Sequence, residues 1–396
     1  MQNKLVTKIQ SIRSNKIYLL ILINGMFLNM PFITFGILIP IMSEELSLSA
    51  SFMGIVLSMN SLSCFIAVFI AGNLIELFGI KKIIISSNIF LLIGAITITL
   101  SKNEFLFASS YFITGFGFGG LAIALTSLTS SIYVKQRSKK LLFLGIFMFI
   151  GSILGALSTR IVLSLGMTWR ICFIIVGVLF FIILIVTAKT DLSKFNVKVS
   201  YDIRTFLKIY KNIILDKRLI VMGLIAFFHS GAVVIFSNWF TTYFKGFGVP
   251  VTTSALFLML YSLSEIGGLF IKTKMLNFWS DSKVIIIKSV LALVCFIGLI
   301  FSSSILAKVV FIAGIGISST GIFMLVSSLG VGLNKKSSGM VLGYIYSSAY
   351  IGSMILLYIS GLIIDRFSSV SILYICLISW AIMTIFATVN IVLKKR

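Results

Sequence analysis

The sequence predicts an all-α integral membrane protein with twelve membrane-spanning helices. Of its 396 residues, 59% are hydrophobic and only 11% are charged, whereas a soluble domain carries about 25% charged residues. Apolar runs recur along the whole chain, at lengths near the roughly 20 residues that a helix needs to cross a bilayer. Because an aqueous fold could not bury this much apolar surface, lipid is the expected solvent.

The apolar runs define the predicted spans, with ends that are approximate to a few residues. They cover 17–41, 50–71, 82–101, 105–133, 141–164, 170–188, 219–244, 252–272, 284–303, 306–332, 338–363 and 370–392.

The distribution of basic residues predicts the orientation. If the N-terminus is cytoplasmic and the spans alternate, only six of the 33 lysine and arginine residues fall outside the cell. These six are Lys102, Arg160, Arg170, Lys245, Lys308 and Arg366. Cytoplasmic loops carry an excess of lysine and arginine, so we expect both termini to be cytoplasmic.

One long polar segment divides the sequence into two halves. We expect an N-terminal six-helix bundle over 1–188, a cytoplasmic linker over 189–217 and a C-terminal six-helix bundle over 218–396. Apolar residues recur at helical spacing between 203 and 210, which is typical of a short amphipathic helix.

A repeat relates the two halves. At an offset of 201 residues, Ile-Gly-Ser at 150–152 matches Ile-Gly-Ser at 351–353. At an offset of 199, Gly-Phe-Gly at 115–117 matches Gly-Ile-Gly at 314–316. Matches in several helices at nearly one offset predict two pseudo-symmetric bundles.

Charge and cysteine usage exclude several classes of function. A net charge of +23 would suggest nucleic acid for a soluble protein, but the basic residues lie between apolar runs, so no nucleic-acid partner is expected. The four cysteines all lie inside apolar runs, without metal-ligand spacing. They are Cys64, Cys172, Cys295 and Cys376. We expect no metal, no cofactor and a monomer in the lipid bilayer.

The stretch 72–82 predicts a tight cytoplasmic turn between runs two and three, because its glycines let the backbone turn sharply. It resembles the signature loop of the major facilitator superfamily, G-x-L-x-D-R-x-G-R-K/R. Matching positions are Gly72, Leu74, Gly79 and Lys81, whereas Glu76, Leu77 and Ile80 replace the family's Asp, Arg and Arg. The gating residues implied are Gly72, Glu76, Gly79, Lys81 and Lys82.

Two further stretches carry the same resemblance. Residues 111–120 resemble the family's fourth-helix pattern R-F-x-x-G-x-G-x-G, although Tyr111 replaces the arginine. Trp169-Arg170 followed by Phe173 resembles the W-R-x-x-F entry to its sixth helix. Run five lacks the proline that is usual in the family's drug/proton antiporters.

The resemblance implies a central cavity between the bundles, lined by helices one, four, seven and ten and flanked by two, five, eight and eleven. The polar residues that fall on these helices are Asn24, Asn29, Asn60, Tyr111, Thr114, Asn238, Tyr261, Tyr346 and Tyr350. Taken singly, each is also explained by an interhelical hydrogen bond. As a set they describe a cavity with few charges, which favours a small polar or amphipathic substrate.

Glu265 in run eight is the single carboxylate well inside an apolar run, and His229 in run seven is the sole histidine. Charged groups at this depth cost about 2.5–3.5 kcal/mol by insertion scales, so they point to function. Glu265 is a candidate proton carrier with His229 as its partner or as a substrate contact. The structural alternative pairs Glu265 with Lys272, two helical turns away, and gives His229 a buried polar neighbour. Asp365 and Arg366 are expected to form an interfacial pair.

These observations favour a secondary active transporter that moves a small organic solute by alternating access and is coupled to protons. Proton-antiport efflux of drugs or amphipathic compounds stays open. A non-transporting membrane sensor is a further alternative, but the linker is short for an output domain. An enzyme is not expected, because one histidine and one central carboxylate do not form a catalytic set. Residue usage rich in lysine and isoleucine predicts a bacterial inner membrane.

Overall fold

A computed structural model describes residues 2–192, 195, 211–334 and 337–395 of the protein. These residues form helices joined by short turns, with no strand among them. Within them, twelve helical segments are long and apolar enough to cross a membrane. The predicted all-α membrane class is therefore confirmed.

The first six spans are one helix each. They are α1 (Gln2–Glu45), α2 (Ala50–Phe78), α3 (Ile80–Leu100), α4 (Glu104–Ile132), α5 (Arg137–Ser164) and α6 (Arg170–Lys189). The second six contain seven helices. They are α7 (Lys217–Lys245), α8 (Val251–Met275), α9 (Asp281–Phe301), α10 (Ile305–Ser319), α11 (Ile322–Leu333), α12 (Ser338–Arg366) and α13 (Ser371–Lys395).

The tenth span differs from its prediction as one helix. The apolar run continues, but α10 ends at Ser319 and α11 begins at Ile322. Between them Thr320 is extended, and Gly321 has a φ of 81°. That left-handed conformation costs a residue with a Cβ atom more than it costs glycine. Span ten is thus a broken helix.

The turn predicted over 72–82 is much shorter than expected. Helix α2 continues through Phe78, and Gly79 alone joins it to α3, with a φ of 84° and a ψ of 151°. Apolar Leu77 and Phe78 extend the helix beyond the predicted end of the span. The reversal of chain direction therefore depends on a single glycine backbone.

The predicted repeat has a structural counterpart in contacts between helices. Gly151 of α5 lies against the carbonyl of Met26 in α1, and Gly352 of α12 lies against that of Phe227 in α7. Both pairs are related by the offset of 201. The 199 offset for the glycine-rich segments is wrong, since Gly316 packs on α8 as Gly115 packs on α2.

The two halves meet chiefly along three helix pairs, which are α1 with α7, α2 with α12 and α5 with α8. Gly54 of α2 and Gly361 of α12 allow one of these approaches, because a Cβ atom on Gly54 would lie 2.9 Å from the Cα of Gly361. This seam is where a cavity between the bundles is expected.

Most of the predicted linker, 193–194 and 196–210, lies outside the described residues, and so does its proposed amphipathic helix. The boundaries 1–188, 189–217 and 218–396 stay a prediction, although α6 ends at Lys189 and α7 begins at Lys217.

Candidate functional site

Glu265 is buried in the second half of α8. The spacing of four residues places Tyr261 one turn earlier on the same face, and the two side chains lie close enough to interact. The 201 offset relates Glu265 to Cys64 and Tyr261 to Asn60, so the carboxyl group is peculiar to the second half.

Ser319, at the end of α10, connects Tyr261 to His229. The Tyr261 hydroxyl lies 3.3 Å from Ser319 Oγ. The His229 ring donates a hydrogen bond from Nε2 to the Ser319 carbonyl oxygen at 2.9 Å. The structure thus brings three helices of one half together around Glu265, Tyr261, Ser319 and His229, which we call the Glu265 cluster.

His229 keeps one ring nitrogen available. Its ring packs edge-on against Trp380, with 5.5 Å between the centroids. Since Nε2 donates to a carbonyl, Nδ1 is the acceptor of a neutral ring, and Nδ1 has no hydrogen-bond partner among the described residues. Both alternatives for His229 retain support, because it has a buried polar neighbour and a nitrogen left to bind another group.

The predicted structural pairing of Glu265 with Lys272 is not found. The Lys272 ammonium instead lies 3.8 Å from Met324 Sδ, and its stem lies over Gly321. The expected helical face is shared, but the lysine side chain turns toward the broken span. Glu265 consequently interacts with a tyrosine and not with a cation in the described part of the chain.

In the first half, Asn60, Tyr111 and Thr114 form a contact between α2 and α4. Asn60 Nδ2 donates to the Tyr111 carbonyl at 2.8 Å and to Thr114 Oγ1 at 3.0 Å. The Tyr111 ring stacks on Phe35 with 3.6 Å between centroids. Its hydroxyl has no hydrogen-bond partner among the described residues.

The predicted asparagines of helices one and seven form hydrogen bonds mainly within their own half of the molecule. Asn88 of α3 donates to Asn24 Oδ1 at 3.0 Å, and Asn29 donates to Ser152 of α5 at 3.3 Å. Asn238 donates to the Val234 carbonyl of its own helix, and the backbone around Asn238 lies close to Gly36 of α1, at the seam between halves.

Tyr346 and Tyr350 of α12 reach across the seam. Tyr346 lies close to Thr126 of α4 and packs edge-on against Phe323 of α11, at 4.8 Å between centroids. Tyr350 packs against the apolar core of the first half. Of the predicted cavity residues, these two contact the opposite bundle most directly.

On the predicted outer face, polar groups fasten the two halves together. Asp365 accepts hydrogen bonds from the Ala50 and Ser51 backbone amides at 2.9 and 2.7 Å, and from the Ser51 hydroxyl. Lys245 and Glu44 form an ion pair. We call these two contacts the outer latch. The expected pairing of Asp365 with Arg366 is therefore wrong, because Asp365 caps α2.

In the stretch predicted as a gating loop, Lys81 Nζ donates to the Ala188 carbonyl at the end of α6, at 2.7 Å. The Lys82 ammonium lies 5.9 Å from the centre of the Phe78 ring. Gly79 forms the turn itself. Details of Gly72 and of the Glu76 side chain lie outside what the structure describes.

Two buried residues of the site were not expected from the sequence. Ser319 is one of many serines in apolar runs, so nothing marked it. Lys288 stands four residues into run nine and was counted with the cytoplasmic charges, yet it is only 3% exposed. Its ammonium lies 3.3 Å from the Gly268 carbonyl of α8. A lysine just inside an apolar run was the available signal.

Comparisons with known proteins agree with this architecture. The model of the Major Facilitator Superfamily matches residues 17–334. The TsgA homolog of Buchnera aphidicola subsp. Baizongia pistaciae (strain Bp) is 22% identical over 294 residues, which are 72% of this chain and 73% of that protein.

Solved structures show the same fold at low sequence identity. The nucleoside transporter NupG superposes with a TM-score of 0.78 at 12% identity, covering 96% of this chain and 99% of that one. The Escherichia coli fucose:proton symporter FucP gives 0.69 at 15% identity, covering 94% and 98%. The chain belongs to the Major Facilitator Superfamily and is a membrane transporter, not an enzyme.

Proposed function

Because the chain belongs to the Major Facilitator Superfamily, we propose that it is a secondary active transporter for a small organic solute, coupled to protons. Alternating access would occur by rocking of the two halves about their seam. We place it in a bacterial inner membrane with both termini cytoplasmic, in keeping with the basic-residue distribution and the bacterial relative.

The observation that carries proton coupling is the Glu265 cluster. A carboxyl group buried in a membrane is stable when it is protonated or hydrogen-bonded. Glu265 interacts with the tyrosine one turn away, and the hydroxyl of that tyrosine approaches the end of a broken span. A change at the break between α10 and α11 would therefore alter the surroundings of Glu265.

The outer latch supports alternating access. Its contacts are a few hydrogen bonds and one ion pair between exposed groups. Exposed ion pairs contribute about 0–1 kcal/mol, so the latch can open without a large energetic cost. Uptake by symport is the preferred direction, since FucP is described as a proton symporter; proton antiport is the other outcome of the test below.

The test is proton movement in proteoliposomes, with a pH-sensitive dye inside, when a transported solute is added. We expect Glu265→Gln to abolish solute-driven proton flux, because glutamine cannot release a proton. Glu104→Gln is the matched control, since Glu104 is exposed in the first turn of α4. Proton entry together with the solute indicates symport, and proton exit as the solute enters indicates antiport. Unchanged flux in Glu265→Gln would remove the coupling role.

A further inference from the structure

Lys272 occupies an electrostatically unfavourable place. It is 8% exposed, and its stem lies so close to Gly321 that a Cβ atom there would be 2.6 Å from Lys272 Cδ. Its ammonium lies beside Met324, in the first turn of α11. The start of a helix carries partial positive charge. Two positive features therefore face each other in a buried position.

The start of α11 has no capping side chain and no acidic residue in its first turn to balance this positive charge. Gly321 is the N-cap residue, and no side chain caps the helix. The first four amides of a helix have no partner inside it. Within the described residues, Lys272 forms no ion pair, and Asp281 is the acidic residue whose charge acts on it. The preferred partner for both the ammonium and these amides is an anion.

A second lysine adds to the same place. Lys288 of α9 donates from Nζ to the carbonyl oxygen of Gly268 in α8, at 3.3 Å. Gly268 lies one turn before Lys272 on the same face of α8. The two like charges act on each other. Among the described residues Lys288 has no acidic partner either. Unpaired charges in a membrane interior are costly, and two adjacent ones are more so.

Thr320 supplies an independent indication of a ligand. Its side chain points toward α8, because its methyl group would lie 2.4 Å from a Cβ atom on Gly268. It is 4% exposed, and its hydroxyl has no hydrogen-bond partner among the described residues. A buried donor without a partner is uncommon in native structures. This buried hydroxyl therefore belongs to a side chain that packs on α8 at Gly268, whose carbonyl oxygen accepts from Lys288.

These features belong to the second half alone. The 201 offset relates Lys272 to Ala71, Lys288 to Ser87 and Thr320 to Gly119. The corresponding span of the first half, α4, runs unbroken from Glu104 to Ile132. The lysines and the break occur together in one half, and the equivalent positions of the other half have neither.

The position also fits access from the seam. Met324, beside the Lys272 ammonium, touches α5 of the first half, because a Cβ atom on Gly145 would lie 3.0 Å from Met324 Cε. Phe323, in the same turn, packs on Tyr346. Separation of the halves at α5 would uncover the first turn of α11.

We propose that Lys272, Lys288, Thr320 and the first turn of α11 form an anion pocket, which binds the carboxylate or phosphate group of the transported solute. This inference rests on the proposed transport function and narrows its substrate class to organic anions. Together with one proton on Glu265, a monoanion would cross as a neutral pair.

The test measures binding to the detergent-purified full-length protein by thermal shift. The probes are sodium lactate, acetate, succinate and inorganic phosphate, each beside a neutral compound, with lactamide as the uncharged partner of lactate. We expect at least one anion to raise the midpoint, because binding to the native state raises stability by mass action. Lactamide should not shift it. No shift with any anion, or equal shifts with lactate and lactamide, would overturn the proposal.

Variants locate the site. Lys272→Gln should weaken anion binding at least about tenfold, as expected for loss of a hydrogen bond to a charged group. Lys272→Arg should keep binding within about threefold. Lys308→Gln is the matched control, because Lys308 is also buried but donates to Tyr243 at 2.8 Å on the predicted outer side. Equal anion affinity in Lys272→Gln and the wild type would refute the pocket.

Transport measured in proteoliposomes separates this inference from the general function. Uptake of a neutral solute that Lys272→Gln carries as well as the wild type would keep the transporter and remove the anion pocket. Anion binding that depends on Lys272, without movement of any bound anion into vesicles, would keep the pocket but overturn its proposed role in binding the transported solute.

Discussion

At the scale of single residues, Gly151 shows how closely the spans approach. A Cβ atom on Gly151 would lie 1.7 Å from the carbonyl oxygen of Met26. No side chain can occupy that distance, so α1 and α5 remain in contact because residue 151 has none. Small residues serve this purpose widely in membrane helix packing.

We predict that Gly151→Ala lowers the thermal midpoint of the purified protein, at a cost of about 1–3 kcal/mol from overpacking. The measurement is loss of the folded monomer on heating in detergent. Gly267→Ala is the control, because a Cβ atom there meets nothing within 4 Å and alanine favours a helix by about 1 kcal/mol. Equal midpoints for the two variants would contradict the contact.

Sequence reasoning at this scale selected Glu265 and His229 as candidates, because ionisable groups stand out in an apolar run. It did not identify Ser319, since serine is common in such runs and its partners come from α7 and α8. The pairing of Lys272 with Glu265 was wrong for a related reason. Spacing on one helix gives the shared face, but the neighbouring span decides where a flexible side chain points.

At the scale of helices, Gly79 makes the reversal between α2 and α3. Its φ of 84° and ψ of 151° fall in a region that is essentially restricted to glycine. The tie from Lys81 to the end of α6 then fixes the start of α3 against a third helix. One residue thus sets the angle between two spans.

We predict that Gly79→Ala costs about 1–3 kcal/mol, the usual strain of such a conformation. The thermal midpoint should fall, whereas Gly339→Ala should leave it nearly unchanged, because Gly339 has no positive φ and no neighbour within 4 Å. A similar midpoint for both would show that the turn tolerates a side chain.

Hydropathy predicted every span, because the length of an apolar run is set by the thickness of the bilayer. It could not predict the break in run ten. Residues 306–332 are apolar on both sides of Gly321 and contain no proline. The run holds several glycines, and the position of the break depends on packing against Gly268 and Lys272 of α8.

At the scale of the whole molecule, the outer latch holds the halves together on one face. Asp365 of α12 caps α2 of the other half, and Lys245 reaches Glu44. Removal of these contacts should favour separation of the halves on that face. Substitutions in the outer latch should therefore shift the equilibrium between the closed and the open conformation of that face.

We predict that Asp365→Ala speeds labelling of a Ser58→Cys reporter by a membrane-impermeant maleimide about fivefold. Ser58 donates across the seam to the Met354 carbonyl at 2.8 Å, so its labelling rate follows opening of that face. Loss of about 1 kcal/mol of hydrogen bonding to an exposed charge corresponds to this factor.

The matched control is Asp216→Ala with the same reporter. Asp216 caps α7 within its own half, accepting from the Arg218 and Leu219 amides. Its loss should lower stability by about 1 kcal/mol without faster labelling. If both aspartate variants label alike, faster labelling reflects general loosening and the latch has no specific role.

The repeat and the two bundles could be predicted because an internal duplication leaves matching residues at a constant offset. The latch could not, since Ser51 and Asp365 are 314 residues apart and the contact arises only when the two bundles dock. Asp365 stood out in the sequence as a charged residue, but its neighbour Arg366 suggested an ion pair between the two.

The capping of α2 by Asp365 also has a consequence for biosynthesis. The carboxylate that accepts from two amides at the start of α2 is synthesised about 314 residues after them. At ordinary rates of synthesis this interval is roughly 15–60 s. During that interval the first bundle is in the membrane with its outer rim unfastened. The capping of α2 is therefore a late event of assembly, and a chain truncated before Asp365 could fasten this face only through the ion pair of Lys245 with Glu44.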